Sequence, residues 1–155
     1  MSKSKNITYT IIILVAGIII GAFLFSGVKQ RSFLSLNNCN ANCLSTSEAL
    51  GILASVIVQK TPSLLPNVVL ETDKTIVMEH PFPDAPIHYV VVPKKDFSDA
   101  IDLATEKGKP YLIDAFTVMR KLAEIEDVSE YRIITNGSGL QDVNFVHFHF
   151  RAQKK

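Results

Sequence analysis

The chain is expected to fold as an α+β domain on a mostly antiparallel sheet of about five strands with two main helices, preceded by one transmembrane helix. Three observations carry this expectation. First, apolar runs with strand character recur at Val68–Glu71, Thr75–Met78, His88–Val92, Tyr131–Thr135 and Asn144–Arg151. Second, two stretches show helical spacing of apolar residues, one on each side of the first three runs. Third, residues 6–28 form a run of 23 uncharged residues rich in Ile, Leu, Val and Gly. As a helix that run spans about 35 Å, against a bilayer hydrocarbon core of about 30 Å.

Composition sets the outer limits. The 155 residues carry a net charge of +1, and no basic stripe is present, which argues against binding to a nucleic-acid backbone. The hydrophobic fraction of 47% is high because of the N-terminus. Beyond it lie roughly 110 residues, enough for one small domain with one core. Two cysteines are too few for a disulfide-built scaffold.

In chain order, residues 1–6 are a polar tail with Lys3 and Lys5, and residues 7–28 the anchor. A secretory signal has a shorter apolar region and small residues at its cleavage site, and neither occurs here. Gly17 and Gly21 fit the small-xxx-small spacing that lets membrane helices approach, a weak pattern because Gly is common in such helices. The basic residues flanking the span are nearly balanced and lean slightly towards a cytoplasmic tail and an exported domain. Residues 29–47 read as a linker containing Cys39 and Cys43, a small disulfide ring on the oxidising side of a membrane or two thiols on the reducing side.

The domain proper is expected over 48–155. Ser45 and Glu48 have the spacing of a capping box, and Leu50, Leu53, Val56 and Ile57 form the apolar stripe of the following helix. Thr72-Asp-Lys links two strands as a hairpin. Three prolines between Pro81 and Pro86 make a stiff loop. Phe97–Glu106 reads as a short helix. Tyr111–Glu126 is the clearest helix, with Leu112, Ala115, Phe116, Met119 and Leu122 at core spacing. Asn136-Gly-Ser-Gly139 reads as a tight turn before the last strand.

That last strand carries the chemistry. With a period of two, Phe145, His147, His149 and Arg151 share one face, and Val146, Phe148 and Phe150 share an apolar face expected to be the core side. Two imidazoles on a strand backed by a core are aimed with little freedom, as nucleophilic or phosphate-handling chemistry requires. A His-x-His pair on a solvated sheet face is the plain alternative.

The segment Gln141-Asp-Val-Asn-Phe-Val-His-Phe-His149 resembles the end of a histidine-triad (HIT) protein, Gln-x-Val-x-His-φ-His-φ-His with φ apolar. In this register Phe145 replaces the first histidine, and His147 and His149 are the middle and last. A second register puts His147 first, His149 in the middle and Arg151 last; the first also places Gln141 and Val143. Ala85-Pro-Ile-His88-Tyr-Val-Val-Val-Pro93-Lys-Lys95 is similar to a second family segment. The likeness runs from about Leu53 to Arg151.

The resemblance implies that His147 attacks the α-phosphorus of a nucleotide conjugate, forming a nucleotidyl-histidine. A neutral imidazole is available near physiological pH, since the ordinary His pKa is about 6.5. It implies that the tautomer of His147 is set by the backbone carbonyl of residue 145, which Phe supplies as well as His. His149 and His88 then bond phosphate oxygens. Asn136, Gln141 and Asp142 match polar residues beside the phosphate. His80 stands where the family usually holds ribose with an Asp. The zinc that some members carry needs a Cys pair and two histidines at positions occupied here by Asp96 and Phe145, so no metal and no cofactor is expected.

Two readings follow. One is a membrane-anchored nucleotide hydrolase or nucleotidyl transferase acting on phosphoramidate or phosphoanhydride bonds. The other is a non-catalytic histidine-triad domain serving as a ligand-binding or scaffolding subunit of a membrane complex. The expected partners are a nucleotide or nucleotide conjugate, the lipid bilayer, and a second copy or other membrane-complex subunits, with no nucleic acid.

Overall fold

A computed structural model describes residues 2–29, 45–97, 99–137 and 139–154. Cys39 and Cys43 lie outside the described residues. Helix α1 (Ser2–Phe25) is followed by α2 (Thr46–Lys60), strands β1 (Val68–Glu71), β2 (Thr75–Glu79) and β3 (Ile87–Pro93), helix α3 (Lys109–Ile125), and strands β4 (Tyr131–Ile134) and β5 (Phe148–Ala152). The five strands form one antiparallel sheet in the order β1-β2-β3-β5-β4. The expected α+β order is present.

Both sheet faces are covered, so two apolar clusters replace the expected single core. Val77, Ile87, Val91, Phe148, Phe150 and Ala152 point to one face and pack against Ala115, Val118, Met119 and Leu122 of α3. The alternate residues Ile76 and Val92 point the other way and meet Phe145 and Val58 of α2. The near-continuous apolar runs of β2 and β3 are what a strand buried on both faces requires.

Three elements depart from the sequence expectation. The last strand begins at Phe148, not Asn144, because the chain before it bonds elsewhere: Asn144 N donates to Ser47 O at 3.0 Å and its Nδ2 to Glu48 Oε1 at 2.6 Å. Among the described residues of 97–106, the helical part is a 3-10 turn, Ala100–Ala104, capped by Asp99 Oδ1 accepting from Ile101 N at 3.2 Å. Phe116 is half exposed at the rim of α3, its ring edge-on to Phe148 with centroids 5.9 Å apart.

Helix α2 shows the largest difference. Ser45 caps it as expected, accepting from Glu48 N at 3.3 Å. Its buried side, however, is Gly51, Ser55 and Val58, while Leu50 and Leu53 are exposed. Small residues face inward because α2 lies directly on the segment leading into β5. A Cβ at Gly51 would collide with the backbone of Asn144. We therefore expect Gly51→Ala to destabilise the domain by about 1–3 kcal/mol in urea unfolding, although alanine is the better helix former.

Helix α1 contains a 20-residue span, Asn6–Phe25, of mean hydropathy 2.6, long and apolar enough to cross a membrane. The residues after it are tied to the domain. Gln59 Nε2 donates to Gly27 O at 3.1 Å, Lys60 Nζ to Ser26 Oγ at 2.9 Å, and Lys29 N to the buried Asp96 Oδ2 at 2.9 Å. Lys29 Nζ also pairs with Asp102 at 3.1 Å.

Candidate active site

The cleft lies on the α2 face of the sheet. Antiparallel pairing sets His88 of β3 opposite Arg151 of β5, and Val90 opposite His149. Side chains directly opposite or diagonal on one face are within reach of each other. His88 Nε2 and His149 Nδ1 are 2.9 Å apart. His80, at the end of β2, stacks on His88 with ring centroids 4.0 Å apart. His147 meets His149 edge-on, centroids 5.0 Å apart. All four histidines thus come to one place.

His147 precedes the paired strand and is held by two backbone bonds. Thr135 Oγ1 donates to its carbonyl at 2.8 Å. Its ring Nδ1 donates to the carbonyl of Phe145 at 2.7 Å. A carbonyl only accepts, so Nδ1 carries the proton and Nε2 keeps the lone pair. The contact supports the register with Phe145 first, because His149 Nδ1 faces His88, not the carbonyl of His147. The Phe145 ring is 2% exposed, packs within the α2 cluster and forms part of the cleft wall, while its carbonyl holds His147.

Asp84 and Arg151 complete the group. His88 Nδ1 lies 3.0 Å from Asp84 Oδ1. The Asp84 amide is also 3.4 Å from that nitrogen, but the shorter, charge-assisted carboxylate contact decides that His88 donates there. Arg151 Nη1 pairs with Asp84 Oδ2 at 2.9 Å, and its Nε lies 3.4 Å from His88 Nε2. Asp84 was not singled out from sequence, and Arg151 entered only as the last position of the second register. The available signals were the period-two position of Arg151 after His149 and the four-residue spacing from Asp84 to His88.

The cleft beside His147 and His149 has a volume of about 290 Å³. Val58, Leu65, Met78, Val92 and Val143 give it apolar walls, and His80, Asn136 and Asp142 add polar edges. Gln141 does not line it. Gln141 is buried behind the wall and donates from Nε2 to Asn136 O at 2.7 Å, which fixes the Asn136 turn. A larger hollow of about 450 Å³ lies across Asp84 and Arg151 at the β4 edge, away from His147. The family's zinc set does not fit this chain, since Asp96 is bonded to Lys29 N and Phe145 is core.

Burial holds both buried-side histidines neutral. It is the first cause of the lowered His149 pKa, to about 4, reinforced by the charges that His147, His88, Arg151 and His80 can carry. His88 is lowered by burial first, then by His80 and Arg151, with Asp84 opposing. A histidine whose folded pKa is depressed loses stability as pH falls, because the unfolded chain takes up the proton first. Between the ordinary value near 6.5 and about 4, stability falls with pH. For His149 alone this amounts to about 1 kcal/mol from pH 7 to pH 5, after allowing for solvent screening. Urea midpoints at the two pH values should show a smaller drop in His149→Gln than in the parent.

Fold and cleft together define a histidine-triad protein. The family model described as "Scavenger mRNA decapping enzyme C-term binding" matches residues 55–155. An uncharacterized HIT-like protein of Buchnera aphidicola is 30% identical over 108 residues, 67% of this chain and 91% of that protein. A histidine triad protein from Clostridium difficile superposes with TM-score 0.56 at 28% identity, covering 64% of this chain and 90% of that one. A HIT family hydrolase from Legionella pneumophila gives TM-score 0.56 at 26% identity, covering 64% and 92%. The chain belongs to the histidine-triad family.

Proposed function

We propose that the protein is a nucleotide hydrolase or nucleotidyl transferase of the histidine-triad type, acting through a nucleotidyl-His147 intermediate. The observation that carries this reading is the 2.7 Å bond from His147 Nδ1 to the Phe145 carbonyl. It leaves Nε2 as a lone-pair nitrogen on a ring that lines the cleft. Nε2 forms a bond to the α-phosphorus, and the bond from phosphorus to the leaving amine or phosphate breaks. The leaving group keeps the electron pair and takes up a proton from solvent. Water then attacks the phosphorus and returns a proton to solvent, and the imidazole leaves neutral. With a phosphoramidate, the sum is substrate plus water giving nucleoside monophosphate plus amine.

The apolar walls suit a flat nucleobase, and the polar edges at Asn136 and Asp142 suit the phosphate and sugar end. Arg151 places a fixed positive charge for the phosphate oxygens beside His88. His88 Nε2 and His149 Nδ1 face each other, so a hydrogen bond from either ring to phosphate requires the pair to part and take up a proton. His80 replaces a ribose-holding carboxylate, so sugar recognition relies on other groups. The Legionella relative is described as a hydrolase. The exposed apolar span of α1 supports a single-pass anchor for the domain. The edge strands β1 and β4 leave room for a second copy or another subunit.

A ligand-binding role without turnover draws support from one feature, the network joining His149, His88, Asp84 and Arg151, which ties ring nitrogens to one another. Release of AMP from an adenosine 5′-phosphoramidate by the full chain in detergent separates the two. Release supports the hydrolase, and a folded chain without release supports the binding subunit.

A further inference from the structure

We infer that His80, His88 and His149 form a binding site for one divalent transition ion of the zinc class. Their ligand nitrogens all lie within 4.8 Å of one another. Three imidazoles with an open fourth position are a known donor set for zinc-class ions. The inference does not depend on the nucleotidyl-transfer reading, and the site differs from the Cys and His set discussed above.

Two details make the cluster more than proximity. His88 presents Nε2 to the cluster while its Nδ1 contacts Asp84 Oδ1 at 3.0 Å. A carboxylate on the far nitrogen of a metal-ligating histidine fixes its tautomer and raises its basicity. His149 Nδ1 is 2.9 Å from that Nε2. Two nitrogens on one tetrahedral zinc stand about 3.3 Å apart. Binding therefore breaks this hydrogen bond, moves the His149 proton to Nε2 and turns the two rings so that their lone pairs converge on the ion.

His80 adjusts as well. Its ring is parallel to that of His88 within 7°, and one ion cannot lie in both ring planes. Its Nδ1 accepts from Phe82 N at 3.1 Å. Binding therefore tilts the His80 ring off His88 and gives up the Phe82 bond. His80 is only partly buried at the end of β2, which leaves room for that motion. Arg151 Nε, 3.4 Å from His88 Nε2, yields its place to the ion and stays paired with Asp84.

The test is a titration of the full chain in detergent with Co²⁺, read by its visible d–d absorption, with Zn²⁺ as competitor. One Co²⁺ per chain is expected, with nitrogen-type bands and no thiolate charge transfer. His80→Asn should weaken binding at least about tenfold, and Asp84→Asn, at a more exposed position, about tenfold. Cys39→Ser with Cys43→Ser should leave it unchanged. Circular dichroism confirms that each variant is folded, and Asp84→Asn decides if His80→Asn is not. No stoichiometric binding by the folded chain would overturn the proposal. So would binding indifferent to both His80→Asn and Asp84→Asn, or binding that disappears with the two cysteines.

Discussion

His147→Ala is expected to lower AMP release from an adenosine 5′-phosphoramidate by about 10³-fold or more, with little change in the unfolding midpoint. The size follows from the role proposed for Nε2, which forms the new bond to phosphorus. Of the neighbouring imidazoles, His88 has both ring nitrogens engaged, with Asp84 and with His149, and His149 has its Nδ1 turned to His88. The fold should persist because His147 sits outside both apolar clusters. Its bond to the Phe145 carbonyl is short and local. A plain loss of stability would instead appear as a shifted urea midpoint together with the loss of rate.

Phe145→His would place a histidine at the first triad position of the proposed register, and we expect it to be harmful. Position 145 is 2% exposed and packs with Val58, Ile76 and Val92. A buried imidazole there has apolar neighbours on that face and leaves polar atoms without water, at a cost of about 1–3 kcal/mol. The smaller ring also loses packing, and Phe145→Ala sets the upper range at about 3–5 kcal/mol. Turnover per folded molecule should not rise in Phe145→His, because the backbone carbonyl is what His147 uses. Urea unfolding and initial rates on the folded fraction check both parts. A stable Phe145→His with a tenfold higher rate would show that a side-chain imidazole at 145 contributes to the chemistry.

The period-two face of the last strand was legible because alternation depends only on the backbone. Phe145, His147, His149 and Arg151 do lie towards the same side of the sheet, and Phe148 and Phe150 lie opposite. Alternation could not say that this side is divided, with Phe145 packed beneath α2 as part of the cleft wall and the histidines open to the cleft. That division depends on how closely α2 approaches. The approach is set by Gly51 and Ser55, residues that an apolar-stripe reading passes over in favour of Leu50 and Leu53. Stripe reading assumes that the larger apolar side chains face the core, and on α2 Leu50 and Leu53 face outward while Val58 faces in.

The site showed the same limit. His80, His88, His147 and His149 were found through their residue type and the motif around them. Asp84 and Arg151 were harder, because a single Asp in a proline-rich loop and an Arg near the C-terminus are ordinary surface residues until β3 and β5 pair. The register that sets His88 opposite Arg151 is a tertiary fact. Gln141 illustrates the reverse case. Its motif match placed it beside the phosphate, yet its side chain turns inward to hold Asn136 O.

The most direct test of the account is to trap the covalent intermediate. The full chain would be mixed with an excess of adenosine 5′-phosphoramidate, quenched under alkaline conditions during the first turnover, and its peptides analysed by mass spectrometry. An adenylyl group on His147, absent from His147→Ala, is the predicted result. An adduct on another residue, or AMP released at the parent rate by His147→Ala, would contradict the assignment of His147 as nucleophile.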